Sequence, residues 1–312
     1  MFRVVMRQSP ASSFSSSLLG AQQAMDNCQR TVLVTGASSG IGRASAQLLA
    51  ARGFRVWAGV RCDQHESEIR DAGIENLQPI RLEVTCKDQV NRAIDQLQQH
   101  SPQGLHALVN NAGVGTPSAV ELSDLDELRR LLEVNTIGPL RMIQACLPLL
   151  RLGRGRVVNM SSMNGTVALP MVGAYSASKF ALEALSDALR MELRPWGISV
   201  SVIRPGQVRT AIFDKARLAL SQRTAEIPEN LQLGYHGLYK RAGDFNERGA
   251  RAATSPQKVA EVVCKALTVS RPRACYMVGL DARGLQFAQR VFPQRMLESI
   301  MARVAGVGAV GK

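Results

Sequence analysis

From Thr31 onward, short apolar, β-branched runs alternate with stretches whose apolar residues recur at helical spacing. Residues 31–35 (TVLVT), 55–60 (RVWAGV), 78–84, 105–109, 155–161 and 199–203 (SVSVI) read as buried strands, with 274–278 as a seventh. Between them, 43–52 is an Ala/Leu-rich helix stopped by Gly53, and 87–100 places Val90, Ala93, Ile94 and Leu97 on one helical face. Residues 124–150 and 174–193 complete the helical set. Such alternation predicts an α/β fold: a single doubly wound, Rossmann-type domain whose parallel sheet of about seven strands is covered on both faces.

Three stretches depart from this rhythm. Residues 214–254 are polar and rich in charge and Gly, and read as an excursion from the sheet (about 211–254) over the active site. Residues 284–304 set Phe287, Val291, Met296, Ile300 and Val304 among Arg and Gln, a basic amphipathic C-terminal helix. Packing over a substrate cleft or a partner subunit, in a homodimer or homotetramer, is favoured for it over contact with a membrane. Residues 1–28 carry Arg3, Arg7 and a Ser cluster with no acid before Asp26. They read as an N-terminal extension outside the fold: a transit peptide, a disordered arm, or leader before a start at Met25. The catalytic domain then covers 29–312.

Composition narrows the function. The chain has 312 residues and 46% hydrophobic content, enough for a sizeable core. Its net charge of +13 is spread along the chain without a basic run or basic–aromatic interleaving, which argues against a nucleic-acid partner. The six cysteines are scattered, with no CxxC pair and no Cys/His spacing suited to a metal. Free thiols in a reducing cytoplasm, and no metal site, are the expectation.

Two motifs carry chemistry. TGASSGIG follows the first strand and opens a helix. There Gly36, Gly40 and Gly42, with Ser38, Ser39 and Ile41 between them, let backbone N–H groups and a helix N-terminus face a pyrophosphate. Tyr175 and Lys179 lie four apart on a helical segment and so share a face. A free Tyr titrates near ~10, and a neighbouring ammonium pulls that value toward neutrality, which suits a general acid/base.

Together with NNAG at 110–113, Asn135, Ser162 and PGQVRT at 205–210, these motifs resemble the short-chain dehydrogenase/reductase family in order and spacing over about residues 31–213. The stretch from 173 to 203 and RACYMVGLDARG near the C-terminus resemble its retinol, hydroxysteroid and hydroxybutyrate dehydrogenase-like subgroup. The resemblance implies that Tyr175 exchanges the proton of an alcohol/carbonyl pair and that Lys179 holds the nicotinamide ribose. It makes Ser162, thirteen residues before Tyr175, the group that steadies the substrate oxygen in preference to Ser161. Asn135 would distort its helix and hold a water linking Lys179 to solvent. Pro205, Gly206, Val208 and Thr210 would grip the nicotinamide, Asn111 and Gly113 would border the adenine ribose, and Glu83 would stand near the adenine amino group.

NAD-preferring relatives place an acid at the end of the second strand, where this chain has Val60 followed by Arg61. A guanidinium suits a 2′-phosphate, so NADP(H) is favoured, with NAD(H) possible. Ser39 stands where some NADP(H) relatives are basic. Gln207, Met163 and Met171 are expected to line the pocket of a lipophilic alcohol or ketone, steroid-, retinoid- or hydroxyacid-like. The competing readings are a non-catalytic NADP(H)-binding sensor or scaffold, and a dehydratase or epimerase; the intact Tyr/Lys/Ser/Asn set argues against both.

Overall fold

The computed structural model describes residues 30–304 and Val307, so the extension 1–28 and the start at Met25 lie outside the described residues. Seven parallel strands form one sheet: β1 (Thr31–Val34), β2 (Arg55–Val60), β3 (Leu77–Arg81), β4 (Ala107–Asn110), β5 (Arg156–Met160), β6 (Ser199–Pro205) and β7 (Cys275–Val278). Their order is β3-β2-β1-β4-β5-β6-β7, as a doubly wound α/β fold requires. The observed strands begin or end within a few residues of those predicted from sequence.

Alternation along β1 sets the two faces of the sheet. Val32 and Val34 join Phe54, Val56 and Ala58 under α1 (Gly40–Ala51). Leu33 turns the other way, to Trp57, Leu108, Met142 and Leu150. That second face is covered by α3 (Lys87–His100), α5 (Gly138–Leu152) and α6 (Gly173–Glu192), while α2 (Asp63–Asp71) follows β2. The core strands are fully buried, which is why they read as apolar runs rather than alternating patterns.

Three predicted elements divide in two. Residues 124–150 form α4 (Leu125–Leu132) and α5, separated by a π turn at Glu133–Ile137. The polar stretch 214–254 is helical: α7 (Ile212–Ala225) and α8 (Gln232–Ala252). They pack on a small core of their own, formed by Ala119, Met171, Leu220, Ile227 and Tyr239. The C-terminal helix is α10 (Leu280–Val291) and α11 (Gln294–Val304), broken at Pro293 because a proline cannot donate within a helix. Helix α9 (Pro256–Thr268), opened by a Ser255 cap, lies against α1.

Candidate active site

Reversal of strand order between β1 and β4 opens a crevice at their C-terminal ends, and the predicted site residues gather there. Helix α1 starts at Gly40 after an extended Ser39 that makes no side-chain cap, so its first N–H groups have no side-chain acceptor. Gly36 and Gly40 take positive φ of 64° and 55°. A Cβ at Gly36 would stand 2.8 Å from Ala112 Cα, and one at Gly42 would overlap the Gly36 carbonyl. Asn111 closes this cradle: its Nδ2 donates to the carbonyls of Thr35 and Gly36, both at 3.0 Å. The Thr35 hydroxyl accepts in turn from the N–H groups of Asn111 and Ala112 at 3.0 Å. An uncapped helix end behind a turn in which Gly36, Gly40 and Gly42 lack a Cβ fits a dinucleotide pyrophosphate.

Beside the cradle lies a cavity of about 540 Å³ bordered by Arg61, Glu83, Thr85, Val114, Arg130 and Glu133. Val60 ends β2 buried, whereas Arg61 is exposed and pairs with Glu83 at 3.6 Å. Glu83 also accepts from the Thr85 N–H, which leaves a carboxylate and a guanidinium side by side at this end of the crevice. Arg130 is an addition that the sequence did not single out.

At the other end, Tyr175 and Ser162 form the inner wall of a second cavity of about 500 Å³. The Ser162 hydroxyl hydrogen-bonds the Tyr175 phenol and also accepts from the Asn164 N–H at 3.1 Å. Ser161 points elsewhere; it is buried and does not reach the cavity. Lys179, one turn after Tyr175, is 4% exposed and donates from Nζ to the Met160 carbonyl at 2.9 Å. Its ammonium sits 5.9 Å from the Tyr175 ring centroid. Burial lowers the Lys179 ammonium to about 8, opposed by the nearby Glu183 carboxylate.

One electrostatic expectation is corrected. The Tyr175 phenol was expected to fall toward neutrality beside Lys179. Burial instead raises it, with the Ser162 hydrogen bond as the opposing influence. The reason is geometric: Nζ is directed at Met160, not at the phenol oxygen.

Asn135 sits fully buried in the π turn. Its Oδ1 accepts from the Val114 N–H at 2.9 Å, and its Nδ2 donates to the Val114 carbonyl at 2.8 Å and to Ser178 Oγ at 3.0 Å. Gly113, beside it, leaves the space in front of Lys179 open: a Cβ there would stand 3.3 Å from Asn135 Oδ1 and 3.7 Å from Lys179 Nζ.

Gly206 and Val208 line the Tyr175 cavity, as do Gln207, Met163 and Met171, while Thr210 lies across from Gly40. Pro205 ends β6. The sequence missed much of the wall, including Phe213, Ala216 and Leu220 from α7, Leu238, Ala242 and Phe245 from α8, and Gly284, Leu285 and Ala288 from α10. Each trio recurs at helical spacing, so the signal was present, although dispersed among charges. Helix α10 is clamped at both ends of the cavity. Asp281 Oδ2 accepts from the Gln207 N–H at 2.7 Å, and Gln289 Nε2 donates to the Thr166 carbonyl at 2.7 Å. Its outer side exposes Leu280, Phe287 and Val291.

A second unforeseen feature supports Lys179. Glu183, one further turn along α6, forms a bidentate pair with Arg204 of β6 at 2.8 and 2.9 Å. Its spacing of four from Lys179 was visible in the sequence.

A family model described as short chain dehydrogenase matches residues 30–220. The chain belongs to the short-chain dehydrogenase family. The relatives it matches are named as dehydrogenases and reductases, and this chain is an oxidoreductase acting on CH–OH groups. A relative from Xenorhabdus hominickii, 3-amino-tetrahydro-pyrrolizinone reductase, is 36% identical over 84% of this chain and 91% of its own. Human 17-beta-hydroxysteroid dehydrogenase type 6 is 32% identical over 87% of each chain. A short-chain dehydrogenase structure from Streptomyces avermitilis superposes with a TM-score of 0.70 at 29% identity, covering 88% of this chain and 94% of its own. Two Burkholderia structures, at 24% identity each, share the fold. That of B. cenocepacia is in complex with NADP (TM-score 0.67; 88% and 97% covered), and that of B. phymatum with NAD (TM-score 0.69; 84% and 93% covered).

Proposed function

We propose that this short-chain dehydrogenase uses NADP(H) to interconvert a lipophilic alcohol and its ketone, with Tyr175 as the proton-transfer group. The observation that carries the reading is a phenol, hydrogen-bonded by Ser162, on the inner wall of an apolar cavity of about 500 Å³, with a buried ammonium one turn behind it. That volume suits an organic ligand of moderate size.

The cofactor residues in this reading are Gly36, Ser38, Ser39, Gly40, Ile41 and Gly42 for the pyrophosphate, with Asn111 and Gly113 on the adenosine side. Pro205, Gly206, Val208 and Thr210 serve the nicotinamide side, and Tyr175 and Lys179 its ribose. Bound there, the cofactor supplies or accepts the hydride. In reduction, Tyr175 O–H gives its proton to the carbonyl oxygen while Ser162 hydrogen-bonds that oxygen. Lys179, with its ammonium near 8, exchanges protons readily at neutral pH. Asn135 fixes the turn through which this end of the site meets solvent.

Preference for NADP(H) rests on Arg61 with Arg130 nearby and no acid at Val60. Glu83 neutralises Arg61 in the free protein, so a 2′-phosphate competes with it for the guanidinium. We also read 29–312 as one catalytic unit with 211–254 over the active site, in a homo-oligomer supported by exposed Leu152, Met191 and Trp196. The described cysteines are free, which fits a cytoplasmic setting.

The test is NADPH oxidation with a panel of lipophilic ketones, and NADP⁺ reduction with the matching alcohols. Turnover by wild type, lost in Tyr175→Phe, supports the reading. NADPH binding without turnover of any member of the panel counts against it.

A further inference from the structure

The chemistry of the cavity wall sorts candidate substrates by charge. Among the described residues, the lining of the Tyr175 cavity contains no Lys, Arg or His. Most of it is aliphatic or aromatic: Met163, Leu169, Phe213, Leu220, Leu238 and Phe245 are representative. Besides Tyr175, its one ionisable side chain is an acid, Asp281. That carboxylate is held at the rim by the Gln207 N–H at 2.7 Å, against the loop that follows β6.

The elements that build the wall do carry cations. Lys215 and Arg217 on α7, Lys240 and Arg241 on α8, and Arg283 on α10 are all exposed and absent from the lining. The net charge of +13 therefore draws anions toward the surface without offering one a partner inside. A carboxylate carried into the cavity loses water and finds no Lys, Arg or His among the described lining, and on the way it passes the exposed carboxylate of Asp281.

We propose that this site takes uncharged substrates and rejects those bearing a carboxylate, with Asp281 as a specificity-determining residue. The inference rests on the proposed alcohol/ketone chemistry, and narrows its lipophilic, steroid-, retinoid- or hydroxyacid-like range to the neutral part.

The test uses a matched pair with the same reacting ketone: 9-oxodecanoate and its methyl ester. Binding to the full-length protein with NADP⁺ is measured by calorimetry at pH 8, and kcat/KM by NADPH oxidation. The ester should bind at least about 100-fold more tightly than the acid. Asp281→Asn keeps an acceptor for the Gln207 N–H and should shrink that ratio several-fold. Ala216→Lys, which places a cation in the wall, should bring the acid level with the ester or above it. Binding of the acid within threefold of the ester in wild type, or binding of neither, would overturn the inference. Ester that binds selectively but is not reduced would leave it standing and count instead against the hydride-transfer reading.

Discussion

Asn135 satisfies both backbone groups of Val114, accepting from its N–H at 2.9 Å and donating to its carbonyl at 2.8 Å. One buried amide thereby pins the π turn of Glu133–Ile137 to the loop after β4. The π geometry is the means, because an extra residue in the turn directs the Asn135 amide at Val114 and Ser178.

Replacing Asn135 with Ala would leave the Val114 N–H and carbonyl without this partner in a part-buried setting. A loss of about 1–2 kcal/mol is expected, or a Tm lower by roughly 2–5 °C for a chain of this size. Turnover should fall as well, since the loop bordering Lys179 would no longer be fixed. Differential scanning calorimetry together with kcat/KM checks both; an unaltered Tm would contradict the pinning role.

Tyr175→Phe keeps the ring and removes the proton. A fall in kcat/KM of about 10²–10⁴-fold is expected, with NADPH affinity within a few-fold of wild type. Near-normal turnover in this variant would rule the phenol out as the acid/base.

Lys179 links stability to chemistry. Its folded-state value, about 8, lies below the ordinary lysine value of 10.5 because of burial. The folded chain therefore sheds this proton first, and stability due to this residue rises as pH climbs from about 8 to above 10.5, and is lost as pH falls through 8. At neutral pH the full burial penalty is borne, at most about 3 kcal/mol from the size of the shift. Lys179→Met should thus raise the Tm of the cofactor-free protein at pH 7 while reducing turnover and weakening cofactor binding. A lower Tm at pH 7 with unchanged cofactor affinity would show the lysine to be purely structural.

How much of this was legible beforehand depended on what each residue buries. Strands of the doubly wound sheet are covered on both faces and announced themselves as apolar runs. Helix α2 did not, because Ile69 is its only buried residue. Helix α9 carries a full signal in the sequence, Ser255 and Pro256 at its start with Val259, Val263 and Leu267 on one face. Helix α7 hides its inner face, since that face borders a cavity and only Leu220 is fully packed. The motif residues could be named from the chain because each must be of one chemical type. The π turn, the direction of the Lys179 ammonium and the Asp281 clamp depend on contacts between segments far apart in sequence, which one chain without its fold does not display.

Arg61→Ala tests the adenosine end. Loss of paired donors should weaken NADPH by about 10–100-fold and NADH by less than about twofold, as read by fluorescence titration. Equal weakening of both would remove Arg61 from the reading of the 2′-phosphate.

His106 supplies an acid-sensitive point outside the site. Half-buried against Phe54, with its Nε2 3.1 Å from the Leu267 carbonyl, it is lowered from 6.5 to about 4, chiefly by desolvation. The unfolded chain takes up this proton near 6.5 and the folded one near 4, so stability due to His106 is present above 6.5 and is lost as pH falls toward 4. His106→Phe should flatten the decline in Tm between pH 6.5 and 4; an identical slope would place the acid sensitivity elsewhere.

Much of the wall of the Tyr175 cavity belongs to stretches of chain separate from the elements that hold Tyr175. Side chains at 213, 216, 220, 238, 242 and 245 come from α7 and α8, whose small core is distinct from the two faces of the sheet. Drift at those positions can reshape what is admitted without disturbing Asn135, Ser162 or Lys179. A lineage carrying this fold can thus sample new molecular shapes one helix position at a time, and a mutant library confined to 213, 216 and 245, outside that small core, should yield altered selectivity far more often than unfolded protein.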